Sequence, residues 1–389
     1  MGTVPSSPLA GPSVPSAGSS ETPSQTRCET ASDDPLDVED LRSRVQKAID
    51  DHLSRQEQRL EEVGPDLAVL VAGIRELLSG GKRLRVAFCY WAWRGAGGAD
   101  CAEIVTAATG LELFQAAALL HDDVMDGSET RRGRPALHRH VAQMHDDLGW
   151  SGDSERFGEA AATLAGDLCL AWSDELFSTS GLPSAALAAG RATFDTMRTQ
   201  LMGGQYLDVL EQAVAEHHGG ADVDRALQVL RFKSAKYTVE HPLLLGAAMA
   251  GAGPELLAGL SAYGLPLGEA FQLRDDVLGV FGDPGLTGKP AGDDLREGKR
   301  TVLIAQVRLL GTPQQQAVVR RHLGDPDLTH AGVTEVREAL LDSGAVAAVE
   351  AMIDARARLA TEALRGMALD EPARSVLAAL VETATARQS

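Results

Sequence analysis

Apolar positions recur at helical spacing along this chain from about residue 35 onward. Leu41, Val45 and Ile49 follow one another at four-residue steps, with charged residues between them. Apolar side chains at this spacing form a stripe along one face of a helix, which packs against a core. The same reasoning predicts helical segments at about 65–79, 82–95, 101–126, 155–178, 184–213, 221–250, 254–281, 295–310, 334–343, 345–367 and 371–386.

Turn-forming residues separate these segments. Paired glycines stand at 80–81, 97–98 and 219–220, and a stretch rich in Gly and Pro runs from 282 to 292. The alternation typical of strands is scarce, and aromatic residues make up only 4% of the chain. A chain rich in Ala and Leu and poor in aromatic residues favours helices over sheets. We therefore predict an all-α fold with one large helical domain over residues 35–389.

The first 34 residues have a different composition, rich in Pro, Ser, Gly and Thr. Such a segment buries too little apolar surface to offset the entropy of ordering, so we expect it to be a disordered tail. No basic residue precedes Arg27, which argues against an organelle-targeting presequence. A docking or regulatory tail is the alternative.

Charge and cysteine content narrow the class of protein further. The formal net charge of −19 makes nucleic acid an unfavourable partner. The four cysteines form no CxxC pair, as is usual for a chain in a reducing compartment. We see no apolar run close to the length of a membrane span and no secretion signal, so we expect a cytoplasmic protein without a membrane span.

The first candidate site is an acidic motif at the end of an apolar stretch, residues 111–135. Asp122 and Asp126 are four residues apart, so both carboxylates project from one helical face, where they repel unless a cation lies between them. Mg²⁺ suits this arrangement, because it binds one or two carboxylates and completes its shell with water and substrate phosphates. Asp123 is expected to face elsewhere.

Three arginines follow this acidic motif at positions 131, 132 and 134. The planar guanidinium group binds phosphate through two parallel hydrogen bonds. Carboxylates that need a cation, next to guanidiniums that need an anion, predict a site for a metal–diphosphate substrate. A solvated acidic helix end is the alternative interpretation.

A second aspartate pair, Asp275 and Asp276, also ends an apolar stretch. Lys289 follows in the Gly/Pro-rich loop, and Lys299 and Arg300 come after it. Two acidic helix ends could hold one metal cluster and one diphosphate from both sides.

Other motifs are less specific when taken singly. Lys82, Arg83 and Arg85 follow a glycine turn at a predicted helix start, which is a natural anion site or simply a capped surface helix. Lys233 lies in a helical stretch, where a solvated lysine is the alternative. The stretch 204–208 (GQYLD) offers polar groups at i and i+3, as in a buried hydrogen-bonded pair.

Two further stretches contain residue types that are common at active sites. The stretch 145–147 (HDD) is similar to 121–123 but is expected to form a polar surface loop. His138 and His140 suggest zinc, but no cysteine stands near them, so a zinc site is not expected.

Taken together, these motifs resemble those of the trans-isoprenyl diphosphate synthases, the polyprenyl synthetase family, and of bacterial geranylgeranyl diphosphate synthases in particular. The resemblance spans residues from about 37 to 386. The motifs occur in the family's order: GGKRLR at 80–85, HDDVMD and RRGRP within 121–135, GD at 166–167, GQYLD at 204–208, KSAKYT at 233–238, FQLRDD at 271–276 and TGKP at 287–290.

The resemblance implies a helical bundle around a deep central cavity with both aspartate motifs at its mouth. It implies a homodimer, Mg²⁺ as cofactor, and isopentenyl diphosphate and an allylic diphosphate as substrates. The implied Mg²⁺ ligands are Asp122, Asp126 and Asp275, with Asp123 and Asp276 supporting them. The implied isopentenyl diphosphate site comprises Lys82, Arg85, Gln115 and Arg132, beside Arg83. The implied allylic site comprises Arg131, Lys233, Ser234, Gln272 and Lys289, with Lys299 near it.

The chain departs from the family pattern at the end of the second motif. Relatives usually have Asp where this chain has Gly279, so the support of the bound metal is expected to be altered while metal binding survives. Gln115 stands where many relatives have His, and Ser234 stands where many have Thr.

The implied chemistry is ionisation of the allylic diphosphate, condensation with isopentenyl diphosphate and loss of a proton. The growing tail is expected to run along the helix before Asp122, where Ala117 and Ala118 leave room and Phe114 forms a deeper floor. We therefore predict a C20 product, geranylgeranyl diphosphate. A farnesyl or a longer polyprenyl diphosphate synthase is the alternative.

Two other functions are alternatives. A class I terpene cyclase carries a second metal motif of the Asn/Asp, Ser/Thr, Glu type. This chain contains no asparagine, and the segment after Asp276 has neither the Ser/Thr nor the Glu at that spacing. A non-catalytic partner subunit of a heteromeric synthase typically loses the first aspartate motif, which is intact here.

Overall fold

The computed structural model describes residues 38–214, 222–282 and 292–385. The chain divides into two units, residues 1–33 and 34–389, and all described residues lie in the second. The expected disordered tail and Lys289 therefore lie outside the described residues, and the tail stays a prediction.

The all-α prediction is confirmed, since the described residues form helices and one short hairpin. The helices are α1 (Leu41–Glu61), α2 (Ala68–Leu77), α3 (Leu84–Gly95), α4 (Ala102–Asp126), α5 (Leu137–Asp147), α6 (Ser154–Ser178), α7 (Ser184–Val214), α8 (Val223–Leu230), α9 (His241–Met249), α10 (Pro254–Phe281), α11 (Asp293–Arg296), α12 (Val302–Leu310), α13 (Pro313–His322), α14 (His330–Asp342), α15 (Ala345–Gly366) and α16 (Ala373–Thr385). A π-helical segment, Arg231–Glu240, joins α8 to α9, and 3₁₀ turns form at Val38–Asp40 and Pro65–Leu67. The hairpin pairs β1 (Thr130–Arg131) with β2 (Arg134–Pro135) in antiparallel fashion.

The predicted segment 295–310 is two helices rather than one. Gly298 adopts a left-handed φ of 75° after α11, and the Thr301 side chain accepts a hydrogen bond from the Ile304 amide to begin α12. Helix α13 was not predicted, although its capping box, formed by Thr312 and Gln315, is a readable start signal.

The expectation of a surface loop at 145–147 is wrong. These residues form the last turn of α5, where His145 is buried against Trp150 and Phe157, while Asp146 and Asp147 are exposed. The apolar face of α5 outweighs the polar composition that suggested a loop.

Helix α4 lies in the main hydrophobic core and packs on α6, where the Ser173 hydroxyl donates to the Gly110 carbonyl at 2.7 Å. Among the described residues, α4 is the one helix that qualifies by length and composition as a possible membrane span, contrary to our expectation from the sequence, yet 72% of its most apolar window is buried inside the protein. Its apolar residues are therefore used for core packing, and they hold the acidic C-terminal end of the helix in position.

Two close backbone contacts hold the π-helical segment in place. A Cβ atom on Gly204 of α7 would lie 2.4 Å from the Lys233 amide nitrogen, and one on Gly268 of α10 would lie 2.5 Å from the Ala235 carbonyl oxygen. Only glycine permits such an approach. The segment that carries Lys233 and Ser234 therefore packs closely between α7 and α10, the helix that carries the second acidic motif.

Candidate active site

The first acidic motif lies at the C-terminal end of α4, where Asp122 has several charged and polar neighbours. Its Oδ1 accepts hydrogen bonds from Lys233 Nζ and from Gln205 Nε2, each at 2.9 Å. Lys233 also donates to Asp208 Oδ2 at 2.6 Å. Burial opposes the ionised carboxylate, but Lys233 and Lys299 outweigh it and hold the pKa of Asp122 below its usual range. Asp122 is therefore ionised in the folded protein.

Asp126, one turn further along α4, is in a different environment. Its side chain is 1% exposed, and among the described residues neither carboxylate oxygen accepts a hydrogen bond. The nearest cation is Lys299, whose Nζ lies 3.4 Å from Oδ2. Burial, together with the neighbouring Asp122 carboxylate, raises the pKa of Asp126 to about 6. A buried carboxylate without a hydrogen-bond donor is a position that a hard cation such as Mg²⁺ fits.

Asp123 turns away from Asp126 and pairs with Arg131 of the hairpin. Arg131 Nε donates to Asp123 Oδ1 at 2.8 Å, and an Arg131 terminal nitrogen lies 3.6 Å from Asp122 Oδ2. The hairpin turn has left-handed φ values at Arg132 (54°) and Gly133 (74°), and it directs Arg132 away from Arg131. Arg132 donates to the Leu77 carbonyl at 2.7 Å and lies beside Gly81.

The second acidic motif lies on α10, where the Gln272 amide is the partner of Asp276. Gln272 Nε2 donates to Asp276 Oδ1 at 2.9 Å and lies 3.4 Å from Asp275 Oδ2. Burial is the main cause that raises the pKa of Asp276 to about 8, and the Asp275 and Asp294 carboxylates add to it. Ionisation of Asp276 is therefore disfavoured in the folded protein, in contrast to that of Asp122.

Lys299 connects the two motifs. In addition to Asp126, its Nζ lies 3.6 Å from Asp294 Oδ1 and forms an ion pair with Glu297. Burial opposes the charge of Lys299, but Asp294 and Glu297 outweigh it and raise the pKa well above the usual lysine value. Lys299 is therefore a half-buried, permanently charged ammonium group between α4 and α11.

Both acidic motifs line one cavity of about 560 Å³. Among the described residues, its acidic lining consists of Glu112, Asp122, Asp208, Asp275, Asp276 and Asp294. The cationic lining consists of Lys82, Arg83, Arg85, Arg131, Arg132, Lys233, Lys299 and Arg300. Apolar side chains, among them Leu119, Leu201 and Phe271, complete the wall. Asp122 and Asp275 thus face the same space, and it combines charges of both signs with apolar walls.

The basic cluster at 82–85 does not present all its guanidinium groups to the cavity in the same way. Arg83 forms a buried ion pair with Glu112 at 2.7 Å and also donates to Gln46 at 2.7 Å. Arg85 donates to Thr238 at 2.9 Å and lies 4.2 Å from the centre of the Tyr237 ring. Arg83, although expected at the substrate site, is therefore committed to internal partners, and this geometry favours a structural role for it.

The residues expected to control chain length occupy different environments. Ala118 lines the cavity, as does Leu119, whereas Ala117 and Phe114 are fully buried and are not among the cavity-lining residues. Phe114 packs edge-to-face on Tyr237 with ring centres 6.2 Å apart, and Tyr237 lines the cavity. Phe114 thus supports the wall from behind.

Several further residues of the site were not assigned to it from the sequence. Asp208 and Gln205 were read as a hydrogen-bonded pair but instead contact Lys233 and Asp122; their spacing of three on one helical face was the available signal. Leu119, three residues before Asp122, carried a similar signal. Asp294 and Glu112 gave no local signal, because their roles depend on contacts with distant segments.

Gln115, Ser234 and Gln272 line the cavity, whereas Lys236 pairs with Glu240 of its own helix at 2.6 Å. Across residues 38–214, 222–282 and 292–385, no three His, Cys, Asp or Glu side chains converge closely enough to hold a metal unaided. A cation here would therefore take part of its shell from water or from a bound molecule, as Mg²⁺ usually does.

Within an all-α fold, the cavity combines carboxylates, cations and apolar walls, an arrangement that suits a ligand with a charged group and an apolar part. The polyprenyl synthetase family model matches residues 68–340, and the chain belongs to this family of prenyltransferases.

Known proteins similar to this chain include two curated synthases and one solved structure. A geranylfarnesyl diphosphate synthase from Aeropyrum pernix is 31% identical over 78% of this chain and 87% of its own length. A geranylgeranyl diphosphate synthase from Mycobacterium tuberculosis is 36% identical over 58% of this chain and 57% of its own. The structure of Corynebacterium glutamicum geranylgeranyl pyrophosphate synthase, complexed with isoprenyl diphosphate and magnesium, is 38% identical. It superposes with a TM-score of 0.84 over 88% of this chain and 98% of that one.

Proposed function

We propose that this chain condenses isopentenyl diphosphate with an allylic diphosphate in a Mg²⁺-dependent reaction and releases geranylgeranyl diphosphate. The observation that carries the proposal is that Asp122 and Asp275, in the C-terminal parts of two separate helices, line one cavity together with cationic side chains. Membership of the polyprenyl synthetase family and the magnesium and isoprenyl diphosphate in the Corynebacterium glutamicum structure support the same chemistry.

In this proposal Asp122, Asp126 and Asp275 hold Mg²⁺, and Asp123 and Asp276 support them. The fit rests on the ionised state of Asp122 and on the buried Asp126 carboxylate, which has no hydrogen-bond donor among the described residues. When bound, the metal neutralises negative charge on the departing diphosphate.

Cationic and polar side chains position the two substrates. Arg131, Lys233, Ser234 and Gln272 hold the allylic diphosphate, with Lys299 near it and Lys289 assigned only by the family pattern. Lys82, Arg85, Gln115 and Arg132 hold isopentenyl diphosphate. Because Asp122 and Asp208 fix the Lys233 ammonium group from two sides, it is positioned before substrate arrives.

The reaction needs no protein nucleophile. The C1–O bond of the allylic substrate breaks, and the electron pair leaves with the diphosphate. The alkene of isopentenyl diphosphate then attacks C1, and a proton lost from its C2 restores a double bond, with the released diphosphate as the base. Leu119, Leu201 and Phe271 keep water from the allylic cation.

The C20 length rests on the small side chain of Ala118 at the cavity wall and on the absence of an aromatic residue one turn before Asp122. Relatives are named as geranylgeranyl, geranylfarnesyl and farnesyl diphosphate synthases, so a farnesyl or longer product is the alternative. Homodimer formation is part of the proposal by family resemblance, and a cytoplasmic location is part of it as an expectation from the sequence.

The test is incubation with Mg²⁺, isopentenyl diphosphate and each of the C5, C10 and C15 allylic primers, followed by chromatography of the dephosphorylated products. We expect a dominant C20 alcohol from every accepted primer. Hydrocarbon products would support a cyclase instead. Binding of the substrates without turnover would support a non-catalytic subunit, a function that the intact first aspartate motif does not favour.

A further inference from the structure

The second motif departs from the family pattern at Gly279. The carboxylate of Asp294, from another helix, fills the space beside this glycine. Gly279 lies four residues after Asp275 on α10 and so shares its helical face. A Cβ atom on Gly279 would lie 2.0 Å from Asp294 Oδ2 and 3.0 Å from Asp294 Cγ. Because heavy atoms do not approach so closely, any side chain at position 279 would displace the Asp294 carboxylate.

Among the described residues, the Asp294 carboxylate approaches Gly279 of the second motif and Lys299, which faces the first motif. Its carboxylate lines the cavity together with Asp275 and lies 3.6 Å from Lys299 Nζ. Lys299 in turn lies 3.4 Å from Asp126 of the first motif. Asp294 therefore stands between the two acidic motifs, on the face of α10 that Gly279 leaves open.

We propose that Asp294 is the third carboxylate of the second acidic site, and that it positions Lys299 and the bound divalent cation in place of a side chain at Gly279. The inference rests on the proposed function, because it assumes that the cation binds between Asp122 and Asp275. In this chain the third carboxylate of the second acidic site thus comes from α11, which follows later in the sequence, and not from α10.

The first experiment measures the Mg²⁺ requirement in two ways. Thermal unfolding with inorganic diphosphate is followed across a Mg²⁺ titration, and the prenyl transfer rate is measured across the same titration at saturating substrates. Asp294→Ala is expected to raise the half-saturating Mg²⁺ concentration about tenfold in both, as is common when support of a metal site is lost. Asp294→Asn keeps the shape of the side chain and removes its charge, so it should also raise the half-saturating Mg²⁺ concentration.

The matched control is Asp293→Ala, which removes the neighbouring aspartate of the same helix, a residue that does not line the cavity. Its half-saturating Mg²⁺ concentration is expected to equal that of the wild type. Because Asp294→Asn also removes a carboxylate partner of Lys299, the Mg²⁺ titration of each variant is compared with its own melting temperature without Mg²⁺. The change in the half-saturating Mg²⁺ concentration, and not the metal-free stability, tests the proposal.

The second experiment moves the carboxylate from position 294 to position 279. The atoms of Asp294 nearest to the added Cβ are all carboxyl atoms, so Asp294→Ala opens the space that a side chain at 279 requires. Gly279→Asp alone should impair Mg²⁺ binding, because it displaces Asp294. Gly279→Asp combined with Asp294→Ala should return the half-saturating Mg²⁺ concentration to within about threefold of the wild type, a non-additive result.

The outcomes separate the inference from the proposed function. If the wild type turns over with Mg²⁺ but Asp294→Ala and Asp294→Asn leave the Mg²⁺ requirement unchanged, or the exchange gives no rescue, the inference is wrong and the proposed function stands. If the wild type shows no Mg²⁺-dependent turnover with any primer, the proposed function is wrong and the inference falls with it.

Discussion

The two acidic sites at the cavity differ in how their charge is balanced. At the first site the negative charge has cationic partners from three segments, since Lys233 binds Asp122, Arg131 binds Asp123 and Lys299 faces Asp126. At the second site the direct partner of Asp276 is the neutral amide of Gln272. The pKa of Asp122 is accordingly held low, whereas burial raises the pKa of Asp276 to about 8.

This difference indicates a division of labour. Asp122 of the first site is ionised and its partner Lys233 is in position before any ligand arrives, so the pair can receive the cation and the allylic diphosphate without reorganising. Added positive charge favours ionisation of Asp276, so we expect a metal–diphosphate complex to change the second site most. Four predictions test the comparison.

The largest effect is expected from neutralising the first site. Asp122→Asn removes a proposed metal ligand and one of the two carboxylates that hold Lys233, so we expect kcat/KM to fall about a thousandfold or more. Asp275→Asn, which leaves Lys233 in place, should lose about a hundredfold. Steady-state kinetics with a C10 primer measures both.

Asp147→Asn is a suitable control for these variants, because residues 145–147 repeat the sequence HDD on the exposed end of α5. It should retain wild-type kinetics. Equal losses for Asp122→Asn and Asp275→Asn would contradict the difference between the sites.

Stability without metal should distinguish the sites in a second way. Asp123→Asn leaves Arg131 without its main partner, so it should lower the free energy of unfolding by about 3 kcal/mol. Asp276→Asn replaces a carboxyl group whose ionisation burial disfavours, so stability should stay within about 0.5 kcal/mol of the wild type or rise. Urea unfolding in a chelator at pH 7 checks both; a larger loss for Asp276→Asn would reverse our assignment.

The position of Lys233 should depend on the glycine contact behind it. In Gly204→Ala the new Cβ would lie 2.4 Å from the Lys233 amide nitrogen, so α7 and the π-helical segment must separate. We expect a loss of about 2 kcal/mol in the free energy of unfolding and a raised KM for the allylic substrate.

Gly203→Ala provides the matched control, because no atom lies within 4 Å of a Cβ placed there. It should be neutral or slightly stabilising, since alanine favours helix more than glycine does. If both variants behaved alike, the close contact would not be what positions Lys233.

The smallest energetic effect is expected at Ala118 in the cavity wall. Ala118→Phe places a large ring in the cavity and should shift the main product from C20 toward C15 while turnover is retained. Ala117→Phe should instead overpack the core and lower stability, because Ala117 is fully buried and does not line the cavity. Product chromatography and melting temperatures separate the two; an unchanged product for Ala118→Phe would contradict this path for the tail.

The spacing of apolar residues within single segments was sufficient to predict most of the helices. Apolar periodicity predicted the long helices α4, α7 and α10 to within a residue, because each of them packs a helical stripe or an all-apolar surface into the core. The prediction from sequence was wrong at 145–147, because the polar composition of this segment suggested a loop. The segment is helical, and burial of His145 in the tertiary structure stabilises it.

The sequence by itself determined the helical class, the two acidic helix ends and the cationic residues near them, because those features depend on spacing within single segments. Only the tertiary structure decided that Arg83 is committed to Glu112, that Ala118 and not Ala117 reaches the cavity, and that Asp294 occupies the space beside Gly279. The physical reason is that each of these facts is a contact between side chains from segments distant in the chain. Such contacts are set by how helices pack, and helical spacing carries no record of them.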